Sequence, residues 1–267
     1  MRMTRLPTGY DWKNKMFSTG TVTLAASSGA GVLGAVNKVS LKLDYKGFTL
    51  IYKLIATSTS RFSSLLSQGG KAYSNTTVRD DNLYGTAQYP FRLPAPIIVT
   101  PGTPLKLDLY DESGSTNTVK IAMDCVVAYN TREVERLARM LSNGVEGEAA
   151  TEFYQLVARR SYTASSRLPL SVKADADYPF HVQSIVGWAT GAYNLSISDN
   201  GDDRSAWDDQ PIPNVNYVGT AQLPHDIHPR ILPPQTTVKY DIEDTTGSTN
   251  VVELALTGFK QPYPKRS

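Results

Sequence analysis

The sequence predicts a mainly β protein: two antiparallel β-sandwich or jelly-roll domains in tandem, joined by a helical linker. Three observations carry this. A block of text recurs in order along the chain. Most segments are short and alternate apolar with polar residues, the period of a half-buried strand. The one clear stretch of helical period lies between the two copies of the block.

The block begins Gly85-Thr86-Ala87-Gln88 and returns as Gly219-Thr220-Ala221-Gln222. A proline-rich segment follows each copy, from Pro90 to Pro96 and from Pro224 to Pro229. Next come strand-like Leu105-Lys106-Leu107-Asp108-Leu109 and Val238-Lys239-Tyr240-Asp241-Ile242, then the turns Ser113-Gly114-Ser115-Thr116-Asn117 and Thr246-Gly247-Ser248-Thr249-Asn250. The spacing is about 133 residues, far beyond the ~20–50 of solenoid repeats. Each repeat is therefore a whole domain, and 267 residues suit two.

Taken in order, residues 1–18 read as an arm. Pro7 and Gly9 interrupt structure, and Tyr10, Trp12, Met16 and Phe17 are large apolar groups without periodicity. Such an arm either packs on its own domain or docks on a neighbour. The first sandwich is expected over 19–130, with strands over 21–24, 39–44, 48–55, 62–66, 97–99, 105–109 and 119–123. Prolines cannot donate to a sheet ladder, so Pro90 and Pro96 mark an extended connector along a sheet edge.

The linker is expected over 131–160. Val134, Leu137, Ala138 and Leu141 lie at spacings of one helix face, with Thr131 as N-cap and Asn143-Gly144 as the stop. Residues 148–160 read as a second helical stretch, with Phe153, Leu156 and Val157 on one side. The second sandwich follows over 161–267. Its strands start near 170, 180, 193, 238 and 252, and it ends in a proline-rich tail.

Chemistry is thinly signalled. The formal charge is +2, so bulk electrostatics does not favour nucleic acid. The lone Cys125 lies in an apolar run and reads as a buried small hydrophobe. No run of about 18 apolar residues predicts a membrane-spanning helix. Met1-Arg2-Met3-Thr4-Arg5 has no apolar run after it, so it is not read as a signal peptide. The histidines are His181, His225 and His228, all in the second copy. His225 and His228 have metal-like spacing but stand where the first copy has Phe91 and Pro94, which argues against a shared metal role. Asp199, Asp202, Asp203, Asp208 and Asp209 form an acidic loop without the EF-hand pattern; a loop-built calcium site needs several oxygens to converge. Trp188 and Trp207 are the candidate stacking platforms for a carbohydrate. No catalytic constellation, cofactor motif or metal set stands out, and a non-enzymatic protein without cofactors is expected.

The repeated pattern of Gly-Thr-Ala-Gln, proline-rich connector, alternating strand, Ser-Gly-x-x-Asn turn and final strand resembles small β-sandwich virion structural proteins of tailed bacteriophages. Residues Gly85 to Met123 and Gly219 to Lys260 carry it. The resemblance implies a bacteriophage virion subunit, made in the host bacterial cytoplasm, that packs against other virion proteins and its own copies. Capsid decoration, neck or collar and tail are all open positions. The alternatives are a double jelly-roll major capsid protein of a tailless icosahedral phage, and a carbohydrate-binding module. The interface residues expected are Tyr10, Trp12 and Phe17 for docking, and Pro90, Pro96, Pro224 and Pro229 for shaping edges.

Overall fold

In the computed structural model the repeat in the text becomes a repeat in strand order. Residues 12–29, 32–142, 152–199, 206–208 and 210–261 are described. The first unit contains β1 (Trp12–Ser18), β2 (Val22–Leu24), β3 (Asn37–Leu41), β4 (Phe48–Ser58), β5 (Phe62–Gln68), β6 (Lys71–Ala72) and β7 (Val78–Arg79). A one-turn helix α1 (Asp80–Leu83) leads to β8 (Phe91–Val99), β9 (Leu105–Asp111) and β10 (Asn117–Ala128). One sheet runs β1-β10-β4-β8, with β2 also on β10; the facing sheet runs β3-β9-β5-β6, with β7 also on β5.

Helix α2 (Thr131–Leu141) comes next. The second unit contains β11 (Glu152–Tyr162), β12 (Arg167–Lys173), β13 (Phe180–Ala189), β14 (Tyr193–Asp199), β15 (Ile212–Pro213), a one-turn helix α3 (Asn214–Tyr217), β16 (His225–Leu232), β17 (Thr237–Asp244) and β18 (Asn250–Lys260). Its sheets run β11-β18-β13-β16 and β12-β17-β14-β15. The named strands pair antiparallel, and the longer strands alternate between two facing sheets, β4, β8 and β10 against β3, β5 and β9 in the first unit and β13, β16 and β18 against β12, β14 and β17 in the second. That is the jelly-roll arrangement, present twice in the same order.

Alternation sets the facing. In β9, Leu105, Leu107 and Leu109 are buried and Lys106 is exposed; in β17, Val238, Tyr240 and Ile242 are buried and Lys239 is exposed. The repeated text is largely turn chemistry. Gly85 exchanges backbone bonds with β4: Ala56 N donates to Gly85 O at 3.0 Å and Gly85 N to Leu54 O at 3.2 Å. Gly219 repeats this on β13, with Gly187 N to Gly219 O at 2.9 Å and Gly219 N to Ile185 O at 3.2 Å. A Cβ at Gly85 would lie 2.0 Å from Tyr89 O, and one at Gly219 would lie 2.3 Å from His225 N. The second repeated turn is held from inside. Asn117 Oδ1 accepts from Ser60 N at 3.0 Å, and Asn250 Oδ1 accepts from Gly191 N at 2.9 Å. Both asparagines are fully buried.

Several expectations change. Residues 152–160, read as helix, belong to β11. Both faces of this strand are covered, and its burial runs nearly unbroken from Phe153 to Ala158. A strand buried on both sides loses its alternation and then mimics helical spacing. Residues 12–18, read as an arm, form β1 on the edge of the first sheet, which agrees with packing on their own domain. Helix α2 is capped by Asn130, whose Oδ1 accepts from Glu133 N at 2.8 Å, one residue before the expected Thr131. Its buried Val134, Leu137, Ala138 and Leu141 pack on Leu50, Val126 and Ala128, the outer face of the first jelly roll. The proline segments are not connectors. From Phe91 and from His225 onward they are the edge strands β8 and β16, and the edge position agrees with what proline permits.

Candidate assembly surface

The outer face of the sheet β11-β18-β13 meets the first jelly roll along α1, β7 and β8. Phe153, Val157, Val186, Ala221 and Ala255 from the second unit join the apolar cluster of the first. The rings of Phe91 and Phe153 meet edge-on at 6.3 Å. The free backbone of the edge strand β11 is also covered. Gln155 N donates to Tyr73 O at 3.0 Å, Val157 N donates to Asn75 Oδ1 at 2.7 Å, and Asn75 Nδ2 donates to Val157 O at 2.9 Å. Ala221 N donates to Asp81 O at 2.8 Å.

A buried ion cluster lies in this junction. Arg79 and Glu112 come from the first unit, Arg159 and Glu253 from the second. Arg79 Nη1 is 2.6 Å from Glu112 Oε2, and Arg159 Nη1 is 2.6 Å from Glu112 Oε1 and 3.6 Å from Glu253 Oε2. Glu253 Oε1 accepts from Arg79 N and from Asn82 Nδ2, both at 2.9 Å. Ser63 also donates to Glu112. The Arg79 guanidinium lies 3.4 Å from the centre of the Trp188 ring. Burial works against the Glu112 carboxylate, but the bonds from Arg159 and Ser63 outweigh it and hold its pKa below the ordinary range. For Glu253 burial wins, and its pKa is raised despite bonds from Arg79 N and Asn82. Unpaired, either carboxylate would be costly at full burial; paired and bonded, the set is tolerated and fixes geometry.

Because the fold is duplicated, each half of this junction has a counterpart elsewhere on the chain. The counterpart of α1 is α3. Asn82 and Leu83 of α1 are buried, whereas α3 buries none of its residues and Val215 is 79% exposed. The counterpart of β8 is β16: β8 is buried along most of its length and β16 is mostly open. The receiving face behaves the same way. Ala221 is buried under α1 and its counterpart Ala87 is exposed. Gln155 is fully buried, and Met16, which holds the same place opposite β10, is 65% exposed. Among the described residues the chain thus carries one docked edge on one covered face, a second edge that is open, and a second face that α2 covers at Leu50, Val126 and Ala128 and that is open at Met16, Thr57 and Lys120.

Of the residues singled out from the sequence, Tyr10 lies outside the described residues. Trp12 is half-buried in the cluster under α2, and Phe17 is half-buried on the core of the first jelly roll. Pro90 and Pro224 come together with Phe91, Ala221 and Asp226 at a cleft of about 190 Å³ between the two units. Pro96 is buried in β8 and Pro229 is exposed on β16. Trp188 lies under Arg79 and Trp207 has Arg230 at 4.8 Å, so a guanidinium already occupies one face of each ring. His181 stacks on Phe259 at 4.9 Å, and burial lowers its pKa. His225 and His228 line an open pocket with Trp207, Tyr217 and Arg230. Among the described residues no group of three metal-ligating side chains converges. Asp202, Asp203 and Asp209 of the acidic loop lie outside the described residues. Cys125 is buried and free, with its thiol pKa pushed up by burial.

Sequence reasoning missed Arg79, Glu112 and Glu253. A signal existed for two of them. Glu253 interrupts an apolar strand where the first copy has Lys120, and Glu112 follows Asp111 where the second copy has Thr245.

No family model matches the chain, and no curated protein matches it by sequence. Solved structures do match. The major capsid protein of STIV shares 10% identity over 93% of this chain and 98% of its own, with a TM-score of 0.45. The major capsid protein of bacteriophage PM2 shares 12% identity over 91% and 99%, with a TM-score of 0.36. The tomato (Solanum lycopersicum) vicilin shares 4% identity over 92% and 74%, with a TM-score of 0.21.

Proposed function

We propose that the chain is a structural subunit of a virus particle, and more narrowly a tandem jelly-roll capsid subunit whose copies close into a ring. One observation carries this: the edge and face that dock inside the chain each have a counterpart, the edge open along most of β16 and the face open beyond the part that α2 covers. A second copy that seated its α3–β16 edge on the β1-β10-β4 face would reuse the docking already built within one chain. Such head-to-tail contacts close into rings when the rotation permits. Jelly rolls serve capsids, lectins and cupins alike. The resemblance of the repeated text to phage virion proteins favours the first of these, and so does the polar arginine cover on both candidate sugar-stacking rings.

Mass photometry of the purified protein tests this. The tandem capsid reading expects three copies per ring. Val215→Asp and Met16→Asp should each return the mass of one chain with an unchanged melting temperature. Six or twelve copies would indicate a neck or tail ring instead. A single-chain mass for the wild type in sedimentation at about ten micromolar, about tenfold above a micromolar Kd, would end the ring reading.

A further inference from the structure

We propose that the Arg79–Glu112–Arg159–Glu253 cluster, with Trp188, is a pairing code: it lets the first jelly roll's edge seat only on a second jelly roll's face, so that contacts between copies must alternate. This inference rests on the ring reading above and adds which of four conceivable edge–face pairings is allowed.

The two edges and two faces are similar in backbone and different in charge. The first edge offers Arg79 and Glu112; at the same places the second has Pro213 and Thr245. The second face offers Glu253 beside Trp188 and Arg159. At the matching places the first face has Lys120 beside Thr57, and its edge strand breaks at Gly20, which has a φ of +72°. Consider the wrong pairings. A first edge on a first face brings Arg79 onto Lys120 with Glu112 as the single carboxylate for both, takes away the Glu253 oxygen to which Arg79 N donates, and leaves no ring beneath the guanidinium. A second edge on a second face sets Pro213, which has no N–H, against the Glu253 oxygen that Arg79 N now satisfies, and removes the Glu112 partner of Arg159. A buried charge stripped of its partner is strongly penalised. The remaining pairing, second edge on first face, sets Pro213 and Thr245 over Lys120: no like charges meet, no existing ion pair loses a partner, and the long lysine stem can carry its ammonium out to water. Its contributors include Val215 and Met16, which are apolar and open. Discrimination thus comes from what the wrong contacts cost, not only from what the right ones gain.

The test uses the full chain and two readouts, native mass and hydrogen exchange at the Gln155 and Val157 amides, which report docking inside the chain. Glu253→Lys copies the first face onto the second. It should speed exchange at both amides by about a hundredfold or more and scatter the native mass. Glu253→Gln keeps the shape and should leave the wild-type mass, with exchange within about tenfold. The double variant Glu253→Lys/Lys120→Glu moves the code to the first face, so protection should move from Gln155 and Val157 to Met16 and Ser18, and a ladder of masses should appear. Equal behaviour of Glu253→Lys and Glu253→Gln would overturn the proposal, as would a double variant with wild-type protection. The amide readout works within one chain, so it tests the code even where the wild-type mass refutes the ring.

Discussion

At the scale of single residues, the repeated glycines are set by sterics. Gly85 and Gly219 each sit where their own chain doubles back, with backbone atoms inside any Cβ contact distance. Gly85→Ala should therefore destabilise by about 2–4 kcal/mol, more than a simple helix or strand propensity change, and the urea midpoint reads this directly. Gly69→Ala should cost less, because nothing stands within 4 Å of its Cβ position, although its φ of +58° still carries backbone strain.

Asp80 is a second residue with a definite consequence. Burial, with Asp81 alongside, raises its pKa to about 7 even though Arg61 and Arg79 pull the other way. The folded state then holds its proton more tightly than the unfolded state, whose carboxyl titrates near ~3.9. Stability contributed by this group is full below about pH 4 and falls as pH rises through about 7. Asp80→Asn should remove that fall. The variant should gain most over the wild type at about pH 8 and little at about pH 4, measured by denaturant unfolding across pH.

At the scale of elements, legibility followed solvent exposure. Strands β9 and β17 have one wet face, alternate cleanly, and stand where the sequence puts them. Helix α2 has one apolar stripe and was equally plain. Strand β11 was lost because the first jelly roll covers its second face: the polar residues that would have marked alternation are replaced by Phe153 and Val157, or hidden, as Gln155 is, within the junction. Strand β1 was lost for a different reason. It is an edge strand with most of its residues exposed, so little in its text distinguishes it from an arm. The proline segments of β8 and β16 read as edges but, apart from Ile97 to Val99 of β8, not as strands, since proline reports the missing ladder on one side only. Of the candidate site, the sequence showed the duplication on which the open counterparts depend. It did not show the ion cluster, because the partners are far apart in the chain: Arg79 and Glu253 meet only after both units fold.

The α2 stripe also supports a prediction at this scale. Leu137 is fully buried between the helix and the outer face of the first sheet. Leu137→Ala should cost about 2–4 kcal/mol from lost burial and the cavity left behind. Met140→Ala on the exposed side should be near neutral, since Met140 is 39% exposed. Thermal unfolding of the two variants separates them.

At the scale of the whole molecule, the two jelly rolls share one apolar cluster across their junction. Backbone and side-chain bonds also cross between them. Neither unit can leave without exposing the other. The chain should therefore unfold in a single cooperative step, with calorimetric and van't Hoff enthalpies in agreement. Two resolved heat-absorption peaks would contradict the shared core.

The unequal chemistry of the two docking sites has a practical corollary for handling the protein in solution. The contact inside the chain depends on ions sealed from the solvent, which dissolved electrolyte screens only weakly. The open edge and face carry Val215 and Met16, and apolar contacts of that kind tighten under sulfate. Ammonium sulfate should thus tighten the contact between copies and lower the concentration at which they assemble, while each chain keeps its internal arrangement, and removing the sulfate should reverse the shift.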